Sequence, residues 1–177
     1  MINRRKFIKA SALTATLLAV DKKSIANEVE LPKQQKINQP IVISTWDFGV
    51  AANADAWKVL SKNGSALDAV EQGVWVPEAD ETNQTVGYGG LPDRDGKVTL
   101  DACIMDHLGN CGAVLALEHI MHPISVARKV MEKTPHVILA GDGALQFALE
   151  QGFKKENLLT PASEKAWKEW LKTAKYN

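Results

Sequence analysis

The sequence has no excess of either charge, few cysteines and no long hydrophobic run. Basic and acidic side chains both number 21, so neither a nucleic acid nor an acidic membrane surface is indicated as a partner. The two cysteines, Cys103 and Cys111, have no paired spacing and do not support a zinc site. The composition therefore favours a globular chain of one domain that meets a small molecule or another polypeptide.

The common catalytic and cofactor signatures are also missing. No Gly-Lys-Ser/Thr follows Gly141-Asp142-Gly143, and Gly87-Tyr88-Gly89-Gly90 precedes a turn rather than a helix, so neither fits a nucleotide-binding loop. We therefore assign both glycine groups to backbone geometry. No Gly-x-Ser-x-Gly occurs. Four scattered histidines share no metal-ligand spacing and are expected to be structural, namely His107, His119, His122 and His136.

The first 40 residues read as export and tether segments. Residues 1–26 combine a basic start, an apolar run too short to span a bilayer, and small residues at 24–26, which together predict an export signal peptide. Arg4-Arg5 before Lys6 resembles a twin-arginine signal, and an ordinary secretory signal is the alternative. Residues 27–40 are polar and predict a disordered tether. The protein is expected to be periplasmic or secreted.

The central stretch from Gly87 to Leu117 predicts a buried β-hairpin. Two mainly apolar runs are joined by residues 108–110, and apolar side chains on both faces favour a sheet between two layers. A loop centred between Leu108 and Gly109 would place Cys103 opposite Val114. A loop centred on His107 would instead allow a Cys103–Cys111 disulfide, although buried free thiols are the favoured interpretation.

Helical and strand patterns fill the rest of the chain. Ser65 followed by Asp68 approximates a capping box, and Pro123 suits the first turn of a helix. The patterns predict strands at 41–44 and 136–140, a solvated loop at 76–85, and helices at 51–62, from 65 through 74, from 123 to 133, at 144–151 and at 161–174.

Three side chains remain as candidates for chemistry. Trp46 is expected at the end of the first strand, where a large aromatic side chain can line a site, with packing at the rim as the alternative. Asp101 and Asp106 lie on the first hairpin strand, where they could form a pair of acids. A carboxylate at the end of a strand more often accepts backbone hydrogen bonds, and we favour that role.

Several segments together resemble the glycosylasparaginases, which are N-terminal-nucleophile hydrolases. The similarity runs from about residue 41 nearly to the C-terminus, and the matching segments are Ser44–Gly49, Gly64–Val70, Val86–Asp93, Leu100–Asp106, Pro123–Arg128, Val130–His136, Gly141–Ala144 and Gln151–Phe153. The resemblance implies an α+β fold, an αββα sandwich of which residues 41–177 would supply about half.

The resemblance also implies a mechanism whose central residue is absent from this chain. Such precursors cleave themselves before the threonine of a His-Asp-Thr segment, and the freed threonine attacks with its own α-amine as the base. No threonine here follows His-Asp, so no catalytic residue is assigned, and only Trp46 matches a position at the family's substrate pocket. Neither a cofactor nor a metal is expected. The implied partners are a β subunit, in an (αβ)2 assembly, and glycosylated asparagine.

Two alternatives stand beside this interpretation. A plant-type asparaginase or isoaspartyl peptidase would begin with a glycine-rich strand end, whereas this chain has Ser44-Thr45-Trp46-Asp47. A non-catalytic fragment would fold only with a partner or not at all. Without a β subunit, the chain is expected to be inactive and prone to aggregate.

Overall fold

A small mixed sheet organises the computed structural model, which describes residues 39–175. The predicted signal peptide and residues 27–38 of the predicted tether lie outside this range. The described part has an α+β architecture, as expected. Its elements in chain order are α1 Gly49–Leu60, α2 Ala66–Ala79, β1 Thr99–Met105, β2 Cys111–Glu118, α3 Pro123–Lys133, β3 Ile138–Ala140, α4 Gly141–Glu150 and α5 Pro161–Thr173.

Strands β1 and β2 form the predicted antiparallel hairpin, with a different register. Met105 pairs with Cys111, which leaves a five-residue loop centred on Leu108, and Cys103 pairs with Ala113. Neither register considered from the sequence is therefore correct. Both thiols are free, as favoured, but Cys103 is exposed rather than buried. The reason is that Cys103 lies on a face of the sheet that no described helix covers.

The sheet is covered on one face, so the expected burial between two layers is wrong for the described residues. Helices α3 and α4 pack on that face, where the side chains of Val114 and Leu117 have no exposed surface. Removal of such side chains from water is the main favourable contribution to folding. The opposite face leaves four large or sulfur-containing side chains in solvent, namely Cys103, Met105, Leu115 and Ile138.

Strand β3 is shorter and more exposed than the buried strand predicted at 136–140. It spans three residues and pairs in parallel with β2, where Ile138 lies beside Ala113. Ile138 is 51% exposed because it shares the uncovered face of the sheet. The apolar run therefore predicted a strand correctly, but its prediction of burial was wrong, because one face of this strand is exposed.

Helices α1 and α2, which correspond to the helices predicted at 51–62 and from 65 through 74, pack against each other as a helical hairpin. The hydroxyl of Ser65 accepts a hydrogen bond from the backbone N–H of Asp68 at 3.1 Å, which confirms the N-terminal cap. Gly73 of α2 lies so close to α1 that an added Cβ would be 2.8 Å from the carbonyl oxygen of Ala52. Small side chains therefore set the distance between these helices.

The loop predicted at 76–85 is wrong in its first part. Helix α2 continues through Pro77 to Ala79, and Glu78 is buried. The polar and acidic character of residues 76–85 predicted a loop, but the helix includes Pro77 and ends only at Ala79. The remaining part, from residue 80, is irregular as expected.

The strand predicted at 41–44 does not form. These residues have no regular structure, and the side chains of Ile41 and Ile43 are 62% and 86% exposed. A strand needs a neighbour for its backbone groups, and no described strand lies beside this segment. Within residues 39–175, no helix combines the length and apolar content required to cross a bilayer.

Candidate functional site

Trp46 lies in a turn that leads directly into α1. Its side chain is 69% exposed, whereas its carbonyl oxygen accepts a hydrogen bond of 2.9 Å from the backbone N–H of Gly49. The position differs from the expected strand end because the preceding strand does not form. The indole is nevertheless available to contact a ligand, while its backbone is held.

A groove of about 410 Å³ begins two residues beyond Trp46, at Phe48. It runs between the end of α2, the glycine-rich segment at Gly87, strand β1 and the start of α3, and Trp46 itself is not part of its lining. The residues with polar side chains along it are Glu78, Asp101, two threonines and Cys103. Further lining residues are Val74, Pro77, Thr85, Val86, Thr99, Leu100, Ala102, Pro123 and Ile124.

Glu78 is the buried acid of this groove, and its side chain is only 4% exposed. One carboxylate oxygen accepts from the backbone N–H of Ile124 at 3.0 Å, and the other lies 3.0 Å from Nδ1 of His122. Burial raises the pKa of Glu78, while the hydrogen bonds from His122 and Ile124 act in the opposite direction. Sequence reasoning missed this residue because it assigned the whole segment to a solvated loop.

Two further contacts complete the cluster around Glu78. The indole N–H of Trp75 donates to the hydroxyl of Ser125 at 2.8 Å, and the rings of Trp75 and His122 lie 5.5 Å apart. His122 therefore has the structural role expected from the sequence. Among residues 39–175, no group of histidine, cysteine or acidic side chains could hold a metal ion.

The two hairpin aspartates bind backbone, as favoured, and do not form a pair of acids. Asp101 accepts from the backbone N–H of Ala116 at 2.7 Å, where the strand pairing is irregular and Ala116 has φ of 49°. Asp106 accepts from the backbone N–H groups of Leu108 and Asn110 at 2.8 and 2.9 Å. Both carboxylates thus stabilise the shape of the hairpin.

The glycine-rich segment at 87–90 also has the expected backbone role. Gly87 has φ of 62°, and an added Cβ would lie 2.0 Å from the carbonyl oxygen of Glu78. The next residue, Tyr88, donates its backbone N–H to that same oxygen at 2.7 Å. Glycine is required because the chain passes directly over the end of α2 in a left-handed conformation.

Residues 29–177 match the asparaginase family. The chain belongs to this family. It is 62% identical over 174 residues to an N(4)-(β-N-acetylglucosaminyl)-L-asparaginase of Elizabethkingia miricola, an alignment that covers 98% of this chain and 51% of that protein. The protein of the same name from Rattus norvegicus is 47% identical over 133 residues, which cover 75% of this chain and 38% of the rat protein. The predicted resemblance to glycosylasparaginases is confirmed.

The chain spans about half the length of its bacterial relative. A matched relative from Drosophila melanogaster, a putative N(4)-(β-N-acetylglucosaminyl)-L-asparaginase, is 44% identical over 136 residues, 74% of this chain and 34% of that protein. A substrate contact by Trp46 stays a prediction.

Proposed function

We propose that this chain is the α portion of a glycosylasparaginase, an amidohydrolase that cleaves the amide between N-acetylglucosamine and asparagine during glycoprotein degradation. The observation that carries the proposal is 62% identity across 98% of the chain to the Elizabethkingia miricola protein whose name states this substrate. The Ser44-Thr45-Trp46-Asp47 segment favours this activity over that of a plant-type asparaginase.

The proposal assigns the other half of an αββα sandwich to a β subunit. Residues 41–177 would supply one helical layer and part of one sheet. The uncovered face, with Met105 66% exposed and Ile138 51% exposed, would then pack against the second sheet. The large apolar side chains exposed on this face support a permanent partner rather than a transient one. Pairs of α and β portions would associate as (αβ)2.

The chemistry would start from a threonine at the first position of the β subunit. Its hydroxyl would attack the amide carbon while its α-amine accepts the proton. The C–N bond would then break, and the glycosylamine would leave with that proton on its nitrogen. Water would finally release aspartate from the acyl-enzyme. Donors in an oxyanion hole would stabilise the tetrahedral intermediate. Trp46 would contact the substrate, and neither cofactor nor metal takes part. Residues 1–26 would direct export to the periplasm or the medium.

Expression with and without a second half tests the proposal. The chain is produced alone and together with the second half of the Elizabethkingia miricola relative, and each preparation receives N-acetylglucosaminyl-asparagine, asparagine and a β-aspartyl dipeptide. We expect soluble, active protein only from co-expression, with the glycosylated substrate hydrolysed fastest. The second half alone serves as the control.

Two outcomes would contradict the proposal in different ways. Activity of the chain without a second half would refute the assignment as an incomplete α portion. If the co-expressed protein hydrolysed asparagine or the β-aspartyl dipeptide faster, the proposed activity would be that of an asparaginase or an isoaspartyl peptidase instead.

A further inference from the structure

The first turn of α1 is shaped to receive the segment that carries Trp46. Gly49 is buried, and a Cβ added there would lie 2.3 Å from Cβ of Ser44. No real side chain fits at that distance, so Ser44 rests directly on the backbone of the helix. Glycine at the start of α1 is therefore part of the support for the Trp46 turn.

Asn53 provides a polar contact to the same serine. It lies one helical turn beyond Gly49, on the same side of α1, and its Oδ1 accepts a hydrogen bond from the Ser44 hydroxyl at 2.5 Å. Asn53 is half-buried, and the segment around Ser44 lies over a small cavity of about 100 Å³ between α1 and α2. The hydrogen bond thus fixes a segment that has few other contacts beneath it.

The backbone closes the turn at its other end. The carbonyl oxygens of Trp46 and Asp47 accept from the N–H groups of Gly49 and Val50 at 2.9 and 3.2 Å. Asp47 also accepts from the N–H of Phe48 through its side chain, at 2.9 Å. Ser44 at the start and Gly49 at the end thus hold the backbone that carries the Trp46 side chain, which is itself 69% exposed.

We propose that Asn53 is a positioning residue for Trp46, acting through Ser44. This inference rests on the proposed function, in which Trp46 contacts the glycosylated asparagine. Asn53 itself need not touch the substrate. Its effect is on the entropy of the Trp46 turn, because a turn that is already ordered loses less freedom when the substrate binds.

Substitutions in the assembled protein test the role of Asn53. Asn53→Ala removes the acceptor, whereas Asn53→Asp keeps an oxygen at the same place. Steady-state kinetics with N-acetylglucosaminyl-asparagine give KM and kcat separately. Incorporation of 5-fluorotryptophan gives a ¹⁹F resonance for Trp46, assigned by its loss in Trp46→Phe. Lys58→Ala, on the same helix and with a side chain 66% exposed, is the matched control.

We expect Asn53→Ala to raise KM about 5- to 10-fold with less than about a twofold change in kcat, because a binding contact is misplaced while the reacting groups are not. Its Trp46 resonance should shift or broaden, and that of Trp75, which lies on α2, should not. The KM and kcat of Asn53→Asp and of Lys58→Ala should remain within about twofold of the values for the unchanged protein. Ser44→Ala should raise KM as much as Asn53→Ala does, and the double variant should raise KM little further than either single variant.

An unchanged KM and an unchanged Trp46 resonance in Asn53→Ala would overturn the inference. A fall in kcat as large as the rise in KM, together with a shift of the Trp75 resonance, would also overturn it, because these changes would show general damage to the fold. If the unsubstituted protein failed to hydrolyse the glycosylated substrate, the proposed function would fail. The Trp46 resonance would still decide whether Asn53 positions that side chain.

Discussion

The carboxylate of Glu78, one residue before the end of α2, accepts a 3.0 Å hydrogen bond from the backbone N–H of Ile124 in the first turn of α3. Helix α3 has no acidic residue of its own in that turn. Glu78 therefore supplies from another helix the negative charge that a helix N-terminus favours. One side chain joins the two helices that border the groove.

Replacement of Glu78 should destabilise the assembled protein in proportion to the contacts that are lost. Glu78→Ala is expected to lower the free energy of unfolding by about 2–3 kcal/mol, since a buried N–H loses a charged acceptor. Glu78→Gln keeps an acceptor and should cost less than half as much. Thermal unfolding followed by calorimetry gives the values. Glu81→Ala, at an exposed position, is the control, and equal losses at both positions would contradict the structural role.

Two glycine substitutions should change stability in opposite directions. A Cβ at Gly112 of β2 would lie 2.2 Å from the carbonyl oxygen of Ala127, so Gly112→Ala must push α3 away from the sheet. We expect a loss of about 1–3 kcal/mol or more from such overpacking. Gly143 lies within α4 with no atom near the added Cβ, so Gly143→Ala should add about 0.5–1 kcal/mol. Urea unfolding measures both, and a neutral Gly112→Ala would show that the helix can move freely.

Arg128 should contribute more to stability than an exposed cation does. Its guanidinium lies 2.7 Å from Asp68, 2.6 Å from Glu71 and 2.7 Å from Glu132, and is 20% exposed. Arg128→Met leaves three carboxylates without their common partner, and we expect a loss of about 2–4 kcal/mol. Arg128→Lys should recover only part of this, because an ammonium group lacks the planar fork.

The control for Arg128 is an ion pair on the surface. Lys168→Met removes a pair with Glu164 in which both side chains are largely exposed, and should cost less than about 1 kcal/mol. Thermal unfolding at low and high salt separates the two cases, because salt screens the exposed pair more strongly. An Arg128→Met loss no larger than that of Lys168→Met would contradict the prediction.

Acid should weaken the start of α2 through Asp68. The Ser65 hydroxyl, and next the Arg128 guanidinium, hold the pKa of Asp68 below its ordinary 3.8. The ionised form is therefore favoured by folding, and its contribution is present above the unfolded pKa and is lost as the pH falls through the lowered value. Melting temperatures of the unchanged protein and of Asp68→Asn should converge between about pH 5 and about pH 2. A constant difference over this range would refute the assignment.

Substitution of Trp46 should affect activity far more than stability. The indole is 69% exposed, so Trp46→Ala should change the free energy of unfolding by less than about 1 kcal/mol. Hydrolysis of N-acetylglucosaminyl-asparagine by the assembled protein should fall at least about tenfold in kcat/KM. Trp57→Ala, at a tryptophan that is 47% exposed, is the matched control. Equal activity of the two variants would show that Trp46 does not contact the substrate.

Local signals in the sequence predicted the helices well. Ser65 caps α2 and Pro123 begins α3, because each acts through backbone groups within its own turn. The hairpin was predicted for the same reason, although the loop register differed. The helix predicted at 144–151 likewise ends before Gly152, whose φ of 91° suits a glycine after a helix.

Features that depend on distant residues were not predictable. Nothing near Glu78 in the sequence indicates that it would meet the first turn of α3, 46 positions later. Apolar residues at 41–44 predicted a strand, but a strand also needs a neighbour, which one segment cannot specify. Likewise, the pattern of β1 and β2 indicated two buried faces, whereas the described residues cover one. Neither the residue pattern nor the motif spacing around Trp46 predicted that its side chain would be exposed.

The uncovered face of the sheet separates two kinds of evolutionary constraint on the same strands. Val114, on the covered face, must suit the helices of this chain, so any selection for a folded chain would retain a residue of its size. The side chains of Met105, Leu115 and Ile138 are exposed within the described residues, so folding of this chain places no such constraint on them. A library selected for solubility of this chain alone should therefore accumulate polar residues at those three positions. If the proposed β subunit covers this face, a library selected for hydrolysis by the assembled protein should keep them apolar. The difference between the two libraries would then map the surface that the subunit covers.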